Sequence, residues 1–120
     1  MADTNNGLFN KLADEFIDAG EAQSGTMMEF PCLKVRGSYI ACKDRSNGKL
    51  IVKLTESRVK ELIESRQARA FAPAGKLFEK WACMEVFDEI LWRGVLKEAR
   101  KIAEESHFLE SQKWAKDFRS

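Results

Sequence analysis

Apolar side chains at Leu8, Phe9, Leu12, Phe16 and Ile17 recur at the spacing of one helical face, which predicts a first helix from about Asn6 to Ala22. Gly20 and the pair Ser24-Gly25 supply its stop. The pattern then changes to a period of two. Met27 to Phe30 reads as a strand, and Leu33 to Val35 and Ser38 to Cys42 read as a hairpin about Arg36-Gly37. In that hairpin Leu33 and Val35 share a face with Ile40 and Cys42, and Lys34 and Tyr39 face the other way. Such alternation suits a sheet with one packed and one wet side.

Asp44 to Gly48 is a second turn, and Leu50, Val52 and Leu54 alternate with Ile51 and Lys53 in a further strand. Thr55 is placed to cap a short helix reaching Ser65, with Val59, Leu62 and Ile63 on its apolar face. Phe71 to Gly75 is a proline turn, and Leu77 to Met84 a last strand with Trp81 and Cys83 on one side and Lys80 on the other. Asp88 then caps a long helix to about Glu105, whose stripe is Leu91, Val95, Ala99 and Ile102. Gly94 inside that helix costs on the order of 1 kcal/mol relative to alanine, which suggests close packing on the sheet. The order of elements predicts an α+β fold, a two-layer sandwich of an antiparallel sheet with its helices on one side. It comprises a single domain over residues 1–105 and an aromatic-rich C-terminal extension over 106–120.

The chain has 120 residues with 44% apolar content, sufficient for one core without metal or disulfide. The three cysteines, Cys32, Cys42 and Cys83, form no CxxC or Cys/His ligand pattern, which points to a reducing compartment. A hairpin with a two-residue turn pairs odd with even positions, so Cys32 and Cys42 are expected on opposite faces. They read as small buried apolar fillers, with a reactive thiol as the alternative. A basic n-region followed by an apolar run is missing, as is any apolar stretch long enough for a membrane span. The expectation is a soluble cytoplasmic protein that meets no membrane.

Catalytic patterns are not found. The single histidine, His107, has no nucleophile placed beside it by a motif, and the seven glycines stand singly, forming neither GxGxxG nor a P-loop. A non-enzymatic protein without cofactor or metal is the reading. Charge is more informative. The chain carries only +1 overall, but between Leu33 and Lys80 twelve basic residues meet five acidic ones, a net of +7 that leaves −6 on the flanks. That asymmetry fits either a solvated sheet face or a phosphate-binding one with arginines near the hairpin tips. Asp14, Asp18 and Glu21, three and four apart, are either a wet helix face or a carboxylate row for a hard cation. Phe108, Leu109, Trp114 and Phe118 load the end of the chain with apolar rings, either folded back on the core or offered to a second subunit.

The run Met28 to Ala41, the strand Leu50-Ile51-Val52-Lys53-Leu54 with Arg58-Val59 behind it, Phe71 to Gly75, the pair Lys80-Trp81 and the closing helix with Ala99 resemble the MmcQ/YjbR-like proteins. These are related to the N-terminal domain of TfoX/Sxy competence regulators. The resemblance covers about Met27 to Ile102. It implies a bacterial cytosolic protein of frataxin-like shape with a double-wing DNA-binding arrangement and no catalytic residues. Placed on this chain, the wings are the hairpin at Arg36-Gly37 and the turn from Arg45 to Lys49. The leading expectation is duplex DNA bound mainly through phosphates by Lys34, Arg36, Lys43, Arg45, Lys49 and Lys53. The alternatives are a dimerisation or protein-interaction module using the C-terminal tail, and frataxin-like metal handling on the acidic row.

Overall fold

The computed structural model describes the backbone of residues 2–27, 30–44 and 47–119, and the side chains of residues 7–26, 30–44 and 47–106. The first helix, α1 (Ala2–Asp18), buries Phe9, Leu12, Ala13 and Phe16. It ends four residues earlier than the stripe predicts. Gly20 takes a positive φ of 72°, Glu21 N–H donates to Phe16 O at 2.9 Å and Gly20 N–H to Ile17 O at 3.0 Å, the paired bonds of a Schellman cap. The chain is thereby free to run straight into a strand, β1 (Gln23–Met27), over residues that sequence reasoning assigned to the helix stop.

Six strands form one antiparallel sheet in the order β1-β2-β3-β4-β6-β5. β2 (Phe30–Val35) and β3 (Ser38–Lys43) are joined by Arg36 and Gly37 at φ of 54° and 82°, the two positive values of a type I′ hairpin turn. β4 (Leu50–Lys53) leads into α2 (Glu56–Glu64), capped by Thr55 Oγ1 accepting from the Arg58 amide at 3.2 Å. A further edge strand, β5 (Ala68–Phe71), follows α2 and pairs with β6 (Phe78–Met84) across a turn at Pro73–Gly75. α3 (Glu89–Arg119) starts at Asp88, whose Oδ1 accepts from the Leu91 amide at 3.1 Å. In backbone, the segment from 106 to 119 continues this helix.

All three helices contribute to one core against one face of the sheet. Phe9, Leu12 and Phe16 of α1, Val59 and Leu62 of α2, and Trp92, Val95, Leu96 and Ala99 of α3 meet Leu33, Val35, Ile40, Leu50, Val52, Ala82 and Met84. The α+β sandwich expected from the order of elements is the fold observed. In α3 the fully buried residues are Trp92, Val95, Leu96 and Ala99, and Leu91 and Ile102 are only partly buried, so the stripe is turned slightly from the expected one. The packing reason offered for Gly94 is wrong. It is exposed, and a Cβ built on it meets no atom within 4 Å.

The expected parity of the cysteines is also overturned. Cys32 stands directly opposite Cys42, because the β2–β3 register shifts by one between the pairs Leu33↔Ala41 and Lys34↔Tyr39. Ile40 is the extra residue of that bulge, and one added residue moves everything beyond it to the other face. Cys42 therefore leaves the helix-side core, and the face away from the helices is not simply wet. It carries a second buried cluster, Cys32, Cys42, Ile51 and Cys83, against which Phe30, Tyr39, Phe71 and Trp81 pack.

Candidate nucleic-acid interface

The antiparallel registers lay the helix-free face out in rows. Across the floor, Gly25 is opposite Cys32, Cys32 opposite Cys42, Cys42 opposite Ile51, Ile51 opposite Cys83 and Cys83 opposite Arg69, one residue from each of the six strands. Beside it, two cross-strand pairs each set a base against a ring: Lys34 is opposite Tyr39, and Lys53 is opposite Trp81. Alternation of side chains along a strand puts Lys34 on the face of Cys32, and Lys53 on that of Ile51. Cross-strand neighbours lie close enough for direct contact. The Lys34 ammonium is 5.7 Å from the centre of the Tyr39 ring, within cation–π range. The stem of Lys34 lies over Gly25, with its methylenes 3.1 Å from where a Cβ would stand. Tyr39 is fixed at its far end by a hydrogen bond from its hydroxyl to Thr26 O at 3.0 Å. Beyond Trp81 the rings continue, with Phe71 6.4 Å from Trp81 and 5.6 Å from Phe78, and Lys76 over Phe78 at 5.5 Å.

Of the six basic residues singled out in the sequence, Lys34 and Lys53 are brought onto this face, and among the described residues neither is in a salt bridge. Arg36 turns to the helix side, where its Nε is 3.3 Å from Glu104 of α3. Lys49 is 3.1 Å from Glu85, which Arg69 also holds at 3.2 Å. Lys43 ends β3 opposite Leu50, on the parity of the core residue Ala41. Arg45 lies outside the described residues. The basic middle and acidic flanks thus meet in space: Arg36 with Glu104, Arg58 with Glu98 and Arg69 with Glu85 are all middle-to-flank pairs. Among the described strand residues, Lys34 and Lys53 stand beside the rings without a salt bridge, and Lys43 and Lys80, elsewhere on the sheet, are also without one.

Tyr39 and Trp81 are the members of these pairs that sequence reasoning did not include. Their parity was readable within each strand, but the pairing of β4 with β6, which sets Trp81 against Lys53, follows from tertiary topology.

Buried thiols lie beneath these pairs. Burial, reinforced by the neighbouring Cys32 thiol 2.9 Å away, pushes the Cys42 thiol far above its ordinary value, and burial raises Cys83 as well, against the opposing charge of Arg69. The acidic row does not assemble, because α1 ends at Asp18 and Glu21 falls outside the helix. Among the described residues no group of three or more His, Cys, Asp or Glu side chains is arranged to hold a metal ion. A shallow groove of roughly 570 Å³ lies between α1 and the β1–β2 edge, with Asp14 as its one charged lining residue. The side chains of His107, Phe108, Leu109, Trp114 and Phe118 lie outside the described residues. Among those described, no helix is long and apolar enough to cross a membrane. With this geometry in hand, comparison with family models, with curated proteins and with solved structures finds no match to the chain.

Proposed function

We propose that the helix-free face of the sheet is a nucleic-acid-binding surface, in which Lys34 and Lys53 take backbone phosphates and Trp81 and Tyr39 receive bases. The observation that carries this reading is the pair of lysine–ring couples on one face, Lys34 opposite Tyr39 and Lys53 opposite Trp81. Strands are about 4.8 Å apart, so each couple offers a cation and a π-face at a spacing comparable with successive phosphates and bases of an extended strand. Rings can stack only on bases that are not already stacked in a duplex, which favours a single strand over double-stranded DNA. This keeps the class of partner that the MmcQ/YjbR resemblance implies and moves the contact from the hairpin tips to the sheet. Arg36 and Lys49, each engaged with a glutamate, become peripheral.

The test is fluorescence anisotropy with a labelled single-stranded oligonucleotide and its duplex at low ionic strength. Binding to the single strand is expected to weaken with salt at a log–log slope of roughly 0.7 per phosphate neutralised. Lys34→Glu with Lys53→Glu removes binding, Trp81→Ala weakens it, and Arg36→Glu leaves it nearly intact. Anisotropy that stays flat for both nucleic acids sinks the proposal, and preference for duplex together with loss on Arg36→Glu returns the contact to the hairpin tips.

A further inference from the structure

Cys32 and Cys42 face each other across the β2–β3 ladder with their sulfurs 2.9 Å apart, and both are buried under a cover that includes Phe30 and Tyr39. We infer that this pair is a reversible modification site, a dithiol that oxidation closes to a cross-strand disulfide. The inference is independent of what the overlying face binds.

The geometry selects this pair. Directly opposed residues of an antiparallel ladder have Cα atoms about 4.5 to 5.5 Å apart, inside the window that a disulfide spans. From 2.9 Å the sulfurs need to approach by less than about 1 Å to reach bonding distance. Cys83 has no such partner. Ile51 stands between it and Cys42 in the register, so two strand spacings, about 9.5 Å, separate them. Three cysteines allow three pairings, and only one of them needs no backbone rearrangement.

With a peroxide as the oxidant the step balances. The sulfur of Cys32 or Cys42 attacks one peroxide oxygen and the O–O bond breaks, leaving a sulfenic acid and one water. The second thiol attacks the sulfenic sulfur, the S–S bond forms, and the departing hydroxide leaves as water with the proton of that thiol. Two thiols lose two electrons and two protons in all, and the peroxide is reduced to two waters. A small dithiol reverses it by exchange. Because both thiols are buried, the oxidant reaches them when their aromatic cover opens.

The experiment exposes the folded full chain to hydrogen peroxide, removes the oxidant, then unfolds and alkylates with iodoacetamide for intact mass analysis. The expected product carries one adduct, on Cys83, and dithiothreitol before alkylation restores all three. A tryptic digest without reductant should yield residues 12–34 linked to 37–43, since Lys34 and Arg36 separate the two cysteines. Cys83→Ser should leave the link unchanged. Three adducts after oxidation, a link that includes residues 81–93, or oxygen added to Cys32 without a link would each overturn the inference. The peptide map is made on the unaltered protein, so it does not depend on a variant that folds.

Discussion

The indole N–H of Trp92 donates to the carbonyl of Val86 at 2.7 Å, and the ring, wholly buried, lies 5.3 Å from that of Phe87. One side chain therefore both fills the centre of the helix layer and satisfies the backbone at the entry to α3. Trp92→Ala should destabilise the fold by about 3 to 5 kcal/mol. Trp92→Phe keeps most of the apolar volume but orphans the Val86 carbonyl, at a cost of about 1 to 3 kcal/mol. Denaturant titration measures both, and a Trp92→Phe variant as stable as the unaltered protein would show that the hydrogen bond contributes nothing.

Gly94 offers a gain instead. It lies inside α3 facing solvent with no atom near a built Cβ, so alanine keeps every contact and restricts the unfolded chain. Gly94→Ala should stabilise the protein by about 1 kcal/mol, seen as a higher thermal midpoint. A lower midpoint would mean that a partner occupies the space beside it.

Arg93 ties α3 to α1 through Glu15 at 2.8 Å, and also holds Glu89 at 2.9 Å, which Lys11 reaches from α1 at 2.7 Å. The Arg93 hydrogen bond lowers the Glu15 carboxyl below its ordinary value, and Lys11 followed by Arg93 does the same for Glu89. A carboxylate whose folded pKa is depressed contributes stability that is fully present above its unfolded value and is lost as pH falls through the folded one. Arg93→Gln should therefore lower the denaturation midpoint at neutral pH, with the difference from the unaltered protein shrinking towards zero in acid. The pairs are exposed, so added salt should shrink it too. A difference that stays constant across the acid range would assign the effect to packing of the arginine stem.

The helices were legible because their signals are local. Thr55 and Asp88 accept amide hydrogen bonds at the starts of α2 and α3 as their side chains predict, and the stripe of Phe9, Leu12 and Phe16 is the buried face of α1. The edge strands were not. β1 reads Gln-Ser-Gly-Thr-Met and β5 reads Ala-Arg-Ala-Phe, and neither offers the apolar alternation that reveals a half-buried strand. The candidate site was legible by halves. Lys34 and Tyr39 could be put on one face from the hairpin alone, whereas Lys53 and Trp81 meet only because α2 carries the chain past β4 so that β6 can return beside it. The cysteine pairing was missed for a smaller reason, since nothing in Ser38-Tyr39-Ile40-Ala41-Cys42 announces that one residue is surplus to the ladder.

That surplus residue divides the hairpin into two phases. On the turn side of Ile40, β3 is in step with Arg36-Gly37, and on the far side it is in step with β4, to which Ala41 and Cys42 pair. Deleting Ile40 would force a choice, either leaving Tyr39 beside Lys34 and turning Ala41 outward, or preserving the Ala41–Val52 pair and inverting the turn. A single insertion thus lets a hairpin keep its tight loop while presenting to β4, and through it to β6, the opposite side from the one its own turn dictates.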